Sequence, residues 1–206
     1  MLKVVRQEDF TYRVDGKKRS YPGVTTILKS IIQPYGFVQE SDLIRARARG
    51  TAVHRAIEII EGFHGNLTAD FDPRIEPFLD EYREIKRLTR FVPIGFEVAV
   101  ADPLGGYGGL VDAYGHVYDG QEAIVDFKTG IPPWWCNLQT AAYAPALEKT
   151  IGGKWAKAKR FCFSLTGKGR SKPIEYTDRN DIHKFNNFLS VYHQMADAGA
   201  LRERAA

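Results

Sequence analysis

Residues 108–130, GGLVDAYGHVYDGQEAIVDFKTG, decide the reading of this chain. They divide into two β-strands and a turn. The first strand is Leu110–Tyr114 and its extension. The turn is Asp119-Gly120, a hairpin signal when apolar alternation flanks it. The second strand is Ala123–Lys128. Side chains alternate along a strand, so Ile124, Asp126 and Lys128 share one face while Val125 and Phe127 take the other. An acid and a base thus stand where a strand normally buries carbon. If the neighbouring strand matches in register, Asp112 brings a second carboxylate to the same place. Burying unpaired charge costs on the order of several kcal/mol, so such a cluster needs a partner. Two carboxylates beside an ammonium suggest a divalent-cation site with an electrophilic lysine; a strand-surface ion pair is the plain alternative for a bare D-x-K.

Upstream, Ile94, Phe96, Val98 and Val100 alternate with Gly95, Glu97 and Ala99 in a strand over about 94–100. The glycines at 105–109 read as a flexible turn rather than a phosphate cradle, because no G-K-S/T follows and no helix starts there. Helical spacing covers about 42–62, where Ala46, Gly50 and His54 fall four apart on a face of small residues. A second helix, about 74–90, carries the stripe Ile75, Phe78, Leu79, Tyr82, Ile85 and Leu88. Residues 63–73, with Gly65-Asn66 and Asp72-Pro73, are loop. At the start, 10–22 forms a hairpin turning at Asp15-Gly16. Thr25 caps a short helix reaching Ile32, and Pro34-Tyr35-Gly36 stops it.

Downstream, Ile131-Pro132-Pro133 ends the strand and a helix follows over about 134–149, with Gln139 and Tyr143 on one face. Pro145 kinks that helix or ends it early. A strand over 158–165, a basic turn at Gly167–Arg170 and a return strand over 173–176 lead to a last helix over about 179–197, with Asp178 as its cap. The economical architecture is one α/β domain over 1–206 with a mixed sheet centred on the hairpin. Residues 1–40 supply the N-terminal hairpin and short helix, 41–150 the catalytic core, and 151–206 a C-terminal hairpin and helix.

Lys and Arg number 29 against 25 acids, a net charge of +4 that permits a polyanionic partner without demanding one. The two cysteines, Cys136 and Cys162, stand far apart, so zinc-knuckle, disulfide and four-cysteine cluster readings lack support. No apolar run approaches the ~20 residues of a membrane span, and no signal-peptide core opens the chain. The expectation is a cytoplasmic protein without a membrane partner.

Four elements occur in order: His54 within Gly50-Thr51-Ala52-Val53-His54, Gly109-Leu110-Val111-Asp112, Val125-Asp126-Phe127-Lys128-Thr129-Gly130, and Gln139-x-x-x-Tyr143. Together they resemble the PD-(D/E)XK nuclease superfamily, in the branch of the RecB nuclease domain and the CRISPR-adaptation exonucleases. Tyr21-Pro22-Gly23-Val24-Thr25-Thr26-Ile27-Leu28 ahead of the histidine helix is similar to the mitochondrial genome maintenance exonuclease family and related phage proteins. The resemblance covers roughly residues 20–145 and implies a restriction-endonuclease-like core. It implies an Mg²⁺- or Mn²⁺-dependent deoxyribonuclease acting on DNA ends or single strands. The setting it implies is a bacterial or phage-infected cell, with replication or recombination proteins as partners.

Carried over by position, the resemblance makes His54 and Asp112 metal ligands, Asp126 the central metal-binding acid and Lys128 the catalytic lysine. The Phe127 carbonyl adds an oxygen, and Glu97 is either a further acid of the site or a solvated edge residue. Gln139 and Tyr143 order the lysine and water or contact DNA. The family's proline is replaced by Val111, and the cysteines of an iron–sulfur cluster are missing, so no such cluster is expected. Arg45, Arg47, Arg49 and the turn Lys168–Lys172 are candidate phosphate contacts, with plain solvated charge as the alternative. Tyr107, Trp134 and Trp135 suit base stacking or core packing equally. A structure-specific endonuclease and a non-cleaving nucleic-acid-binding module stay open as alternatives.

Overall fold

Strands rich in β-branched and aromatic residues pair into a five-stranded sheet, and amphipathic helices close both of its faces. The structure is a computed structural model describing residues 1–32, 39–63, 70–169 and 171–201. Strands β1 (Val4–Arg6), β2 (Tyr12–Val14) and β3 (Ser20–Tyr21) make a small antiparallel sheet. Helices α1 (Val24–Ile31), α2 (Glu40–Ile60) and α3 (Glu76–Thr89) follow. The main sheet holds β4 (Val92–Asp102), β5 (Tyr107–Val117), β6 (Gln121–Thr129), β7 (Lys159–Leu165) and β8 (Lys172–Glu175), in that order across it. Neighbours run antiparallel except β6 and β7, which are parallel. A parallel pair needs a long crossover, and α4 (Cys136–Ile151) supplies it. Helix α5 (Asp181–Asp197) comes last. Among the described residues, no helix is long and apolar enough to cross a membrane.

The alternation of β6 is realised as the sequence predicts. Val125 and Phe127 join Phe161 and Phe163 under α2 and α3, against Val53, Ile57, Leu79 and Tyr82. Ile124 faces the other way, into a core with Val100, Val111, Ile27, Leu28, Leu147 and Phe185 contributed partly by α1, α4 and α5. Leu88 ends the predicted stripe of α3 but is exposed; Ile85 and Thr89 take the buried face of that last turn instead.

Several local expectations change. Strand β1 adds a third strand to the N-terminal hairpin, which no turn signal announces. Gly23 caps α1, leaving Thr25 inside the first turn. Asn180 caps α5, while Asp178 accepts the Asn180 N–H at 2.8 Å and the Lys184 ammonium at 2.7 Å. Helix α4 runs through Pro145 to Ile151, its flanks buried on the sheet. The Pro34–Gly36 stop, the Gly65-Asn66 loop signal and Arg170 of the basic turn lie outside the described residues.

Gly108 and Gly109 belong to β5 rather than to a flexible turn, and packing explains them. A Cβ on Gly108 would stand 2.5 Å from the Tyr12 Cβ, and one on Gly109 would enter the Tyr143 ring. The two tyrosines close on the strand where it has no side chains. Gly109→Ala overpacks this contact, and the expected loss is about 1–3 kcal/mol; an unchanged denaturant midpoint would show that the Tyr143 ring moves aside freely.

A buried carboxylate ties α3 to the β7–β8 turn. Glu81 accepts the backbone N–H groups of Thr166, Gly167, Lys168 and Gly169 at 2.6, 2.8, 2.9 and 2.6 Å. It also accepts the hydroxyls of Ser171 and Thr166. Burial alone pushes its carboxyl up, but the bonds from Ser171, Gly167 and Thr166 outweigh that and hold it down at about 2. A depressed folded value stabilises the protein above the unfolded carboxylate pKa of roughly 4.3, and the contribution disappears as pH falls through about 2. Glu81→Gln should flatten that acid limb of the stability profile measured by denaturant titration; an unaltered limb would place the loss on other carboxylates.

Candidate metal centre

The site forms where β5 and β6 part. Their ladder runs from Val117↔Gln121 to Ala113↔Val125 and ends there. Just beyond, the Asp112 carboxylate accepts the Phe127 backbone N–H at 2.8 Å, doing with a side chain what a carbonyl does along the ladder. Across from Asp112, Glu97 has φ +48, a left-handed conformation that costs a non-glycine residue on the order of 1–3 kcal/mol. The irregularity breaks the alternation of β4: Phe96 packs toward α2 and α3, Val98 toward the opposite core. The register with β5 is unshifted on either side, Phe96 opposite Ala113 and Val98 opposite Val111, and the Glu97 carboxylate turns toward α2.

His54 meets it there. Small residues on that helix face allow close approach: a Cβ on Gly50 would lie 3.5 Å from the Thr129 hydroxyl. His54 Nδ1 stands 3.5 Å from Glu97 Oε1 and 3.9 Å from Asp112 Oδ2. Its Nε2 stands 3.2 Å from the Phe127 carbonyl oxygen. One ligand atom from each of His54, Glu97 and Asp112 lies within 4.8 Å of the others, a spacing one cation can bridge. An imidazole nitrogen with two carboxylates suits Mn²⁺ and, with added water, Mg²⁺. Burial pushes the His54 imidazole down, but Asp112 and Glu97 outweigh it and lift it to about 9. The cluster thus attracts positive charge, whether a proton or a cation supplies it.

Asp126 is not among the gathered ligands. Side-chain alternation points it toward α4, where it pairs with the Lys128 ammonium and accepts the Cys136 thiol at 3.3 Å. With Cys136 and Cys162 it forms a second, wholly buried group. Its other oxygen, Oδ1, has no hydrogen-bond partner among the described residues. Burial raises the Asp126 carboxyl and Asp112 adds to this, with Lys128 opposing. Burial alone would push the Lys128 ammonium down, yet Asp126 outweighs it and holds the amine well above its ordinary range. Lys128 is therefore a cation at neutral pH, with a quarter of its side chain reaching solvent.

Gln139 donates to the Tyr143 hydroxyl at 2.9 Å, and both are buried behind the centre. Tyr143 is accordingly not a DNA contact in this arrangement. Tyr107 and Trp135, each 2% exposed, are core residues rather than open stacking platforms; Tyr107 packs edge-on to Phe185 and donates to the Ala142 carbonyl at 3.1 Å. Trp134, 67% exposed, does present a ring to solvent. Arg45 is held by Asp42 at 2.6 Å on the exposed half of α2. Arg49 donates to the Thr129 carbonyl at 3.3 Å, beside Lys128. Cys162 and Tyr12 carry no sequence signal for the site. Cys162 arrives only through the parallel register that sets it opposite Asp126.

No family model matches the chain, and no curated protein matches it in sequence. Among solved structures it is similar to a presumed exonuclease from Eubacterium rectale, with a TM-score of 0.50 and 14% identity, over 89% of this chain and 78% of that one. At that identity the likeness is one of fold: a mixed sheet flanked by helices. If the gathered trio holds a cation, Mn²⁺ at 100 times its Kd should stabilise the wild type by about 2.7 kcal/mol. Asp112→Asn and Glu97→Gln should shrink that thermal shift; a full Mn²⁺ response in both variants would sink the assignment.

Proposed function

We propose that this protein is a metal-dependent deoxyribonuclease of the exonuclease type, acting at DNA ends or on single strands. The observation that carries the reading is the gathering of His54, Glu97 and Asp112 at one cation's spacing, with the Asp126–Lys128 pair on the adjoining strand. Mg²⁺ or Mn²⁺ bound there would supply Lewis acidity toward water and a phosphodiester. The chain's own groups do the rest. Asp112 fixes the end of β6 through the Phe127 N–H and so fixes the strand carrying Lys128. Lys128, held cationic by Asp126, offsets negative charge growing on the phosphoryl oxygens. A cationic amine is a donor and not a base, so water activation falls to the metal side of the site. Gln139 and Tyr143 pack behind the centre and keep water from its rear. Arg49 is placed for a phosphate and Trp134 for a base. The whole of 1–206 is read as one nuclease domain, since β7 and β8 complete the sheet that carries Asp126.

One observation favours a second reading, a nucleic-acid-binding module that does not cleave: Asp126 is withdrawn toward Cys136. End-labelled linear DNA, single- and double-stranded, and a covalently closed circle separate these readings. The nuclease reading expects products from linear DNA with Mn²⁺, none in EDTA, an intact circle, and at least ~100-fold slower cleavage by Asp112→Asn. A gel shift without metal-dependent products would establish the binding module, and a cut circle would establish an endonuclease.

A further inference from the structure

The end of the sheet beside the metal centre carries a second construction. Strands β6 and β7 are parallel with Thr129 opposite Leu165, so the chain leaves both at the same end. The Ser164 hydroxyl donates to the Gly130 carbonyl at 2.8 Å and ties the two exits together. After β7 comes the turn from Thr166 to Ser171, in which Gly167 and Gly169 have φ +68 and +69. Those left-handed residues aim successive backbone N–H groups inward, a geometry that makes an anion-binding nest. The nest is filled by the Glu81 carboxylate from α3. Backbone N–H groups, that of Lys168 among them, and hydroxyls meet the carboxylate, so the turn is shaped by its backbone while the Lys168 side chain extends from it. The Lys168 side chain is exposed, and among the described residues no acid is in salt-bridge contact with it.

A run of contacts leads from the metal centre to this turn and carries two basic residues, Arg49 and Lys168. Arg49 touches the Thr129 carbonyl next to Lys128. Its guanidinium lies 5.7 Å over the Phe78 ring. The Phe78 ring lies against Gly167, where an added Cβ would stand 2.8 Å away. Lys168 follows. A turn needing only to fasten α3 to the sheet requires the Glu81 bonds but not an exposed lysine at the end of the sheet where β6 delivers Lys128 and where Arg49 reaches Thr129. We propose that the Thr166–Gly169 stretch after β7 is an arm gripping the phosphate backbone of a DNA strand on its way to the metal centre. Lys168 makes the phosphate contact and Glu81 is the positioning residue that holds the arm's shape. The identity of the anion as DNA rests on the nuclease reading above.

The test is fluorescence anisotropy of a labelled single-stranded DNA oligonucleotide with the full chain in EDTA, over a salt series. Lys168→Ala should weaken binding about 3- to 10-fold and lower the slope of log affinity against log salt by about one. Glu81→Gln, at a temperature where circular dichroism shows it folded, should lower affinity and slope in the same direction. Lys154→Ala, before the opposite end of β7, should keep wild-type values. Wild-type affinity and slope in Lys168→Ala overturn the arm, as does an equal loss in Lys154→Ala, which would mark a general charge effect. Release of nucleotides by the wild type with Mn²⁺ is scored separately. If it fails while Lys168→Ala still loses slope, the arm stands and the nuclease reading falls.

Discussion

A single hydrogen bond, from the Phe127 N–H to the Asp112 carboxylate, sets the geometry on which the candidate site depends. Two strands that diverge leave backbone donors and acceptors without partners, and buried groups of that kind are costly. Asp112 settles the first orphan donor past the ladder and is thereby fixed at the fork. The carbonyl of the same residue is left facing His54, so one residue's backbone links the acid of β5 to the imidazole of α2. The fork exists because side chains from both layers must reach between the strands, and that opening is where a cation and a phosphate can be brought together.

The two charged groups of the fork have opposite needs. His54, Glu97 and Asp112 present excess negative charge and draw in a cation. Asp126 and Lys128 neutralise one another in a dry setting, which breaking either partner would disturb by about 3–5 kcal/mol. Pairing with one buried acid keeps the lysine charged, so the same ion pair that satisfies the core holds a cationic amine beside the cluster of acids. The strain at Glu97 is consistent with this division, since a left-handed glutamate persists only where its surroundings hold it.

Much of this is legible in the chain because it is local. Alternation in β6 separates Phe127 from Lys128, and four-residue spacing puts Gly50 and His54 on one face of α2. What is not legible depends on pairing across the fold. The sequence places Asp126 and Asp112 near each other, but whether they share a cation depends on where the β5–β6 ladder ends, which no residue type announces. The kink at Glu97 uses a residue with no left-handed preference, so nothing marks it in advance. Aromatic residues are ambiguous for a different reason: Tyr107, Trp135 and Trp134 are chemically alike, and only burial separates the first two from the third.

The small N-terminal sheet looks peripheral, joined to the larger one at its margin and through the Gly23↔Gly108 bridge. Its Tyr12, however, lies on β5 at Gly108, and Tyr143 occupies the adjoining bare position at Gly109. The strand carrying Tyr12 is therefore packed on the stretch of β5 that leads to Asp112 rather than merely preceding the sheet. A chain shortened past Tyr12 would uncover β5 at Gly108, and water would gain a side entrance four positions from Asp112.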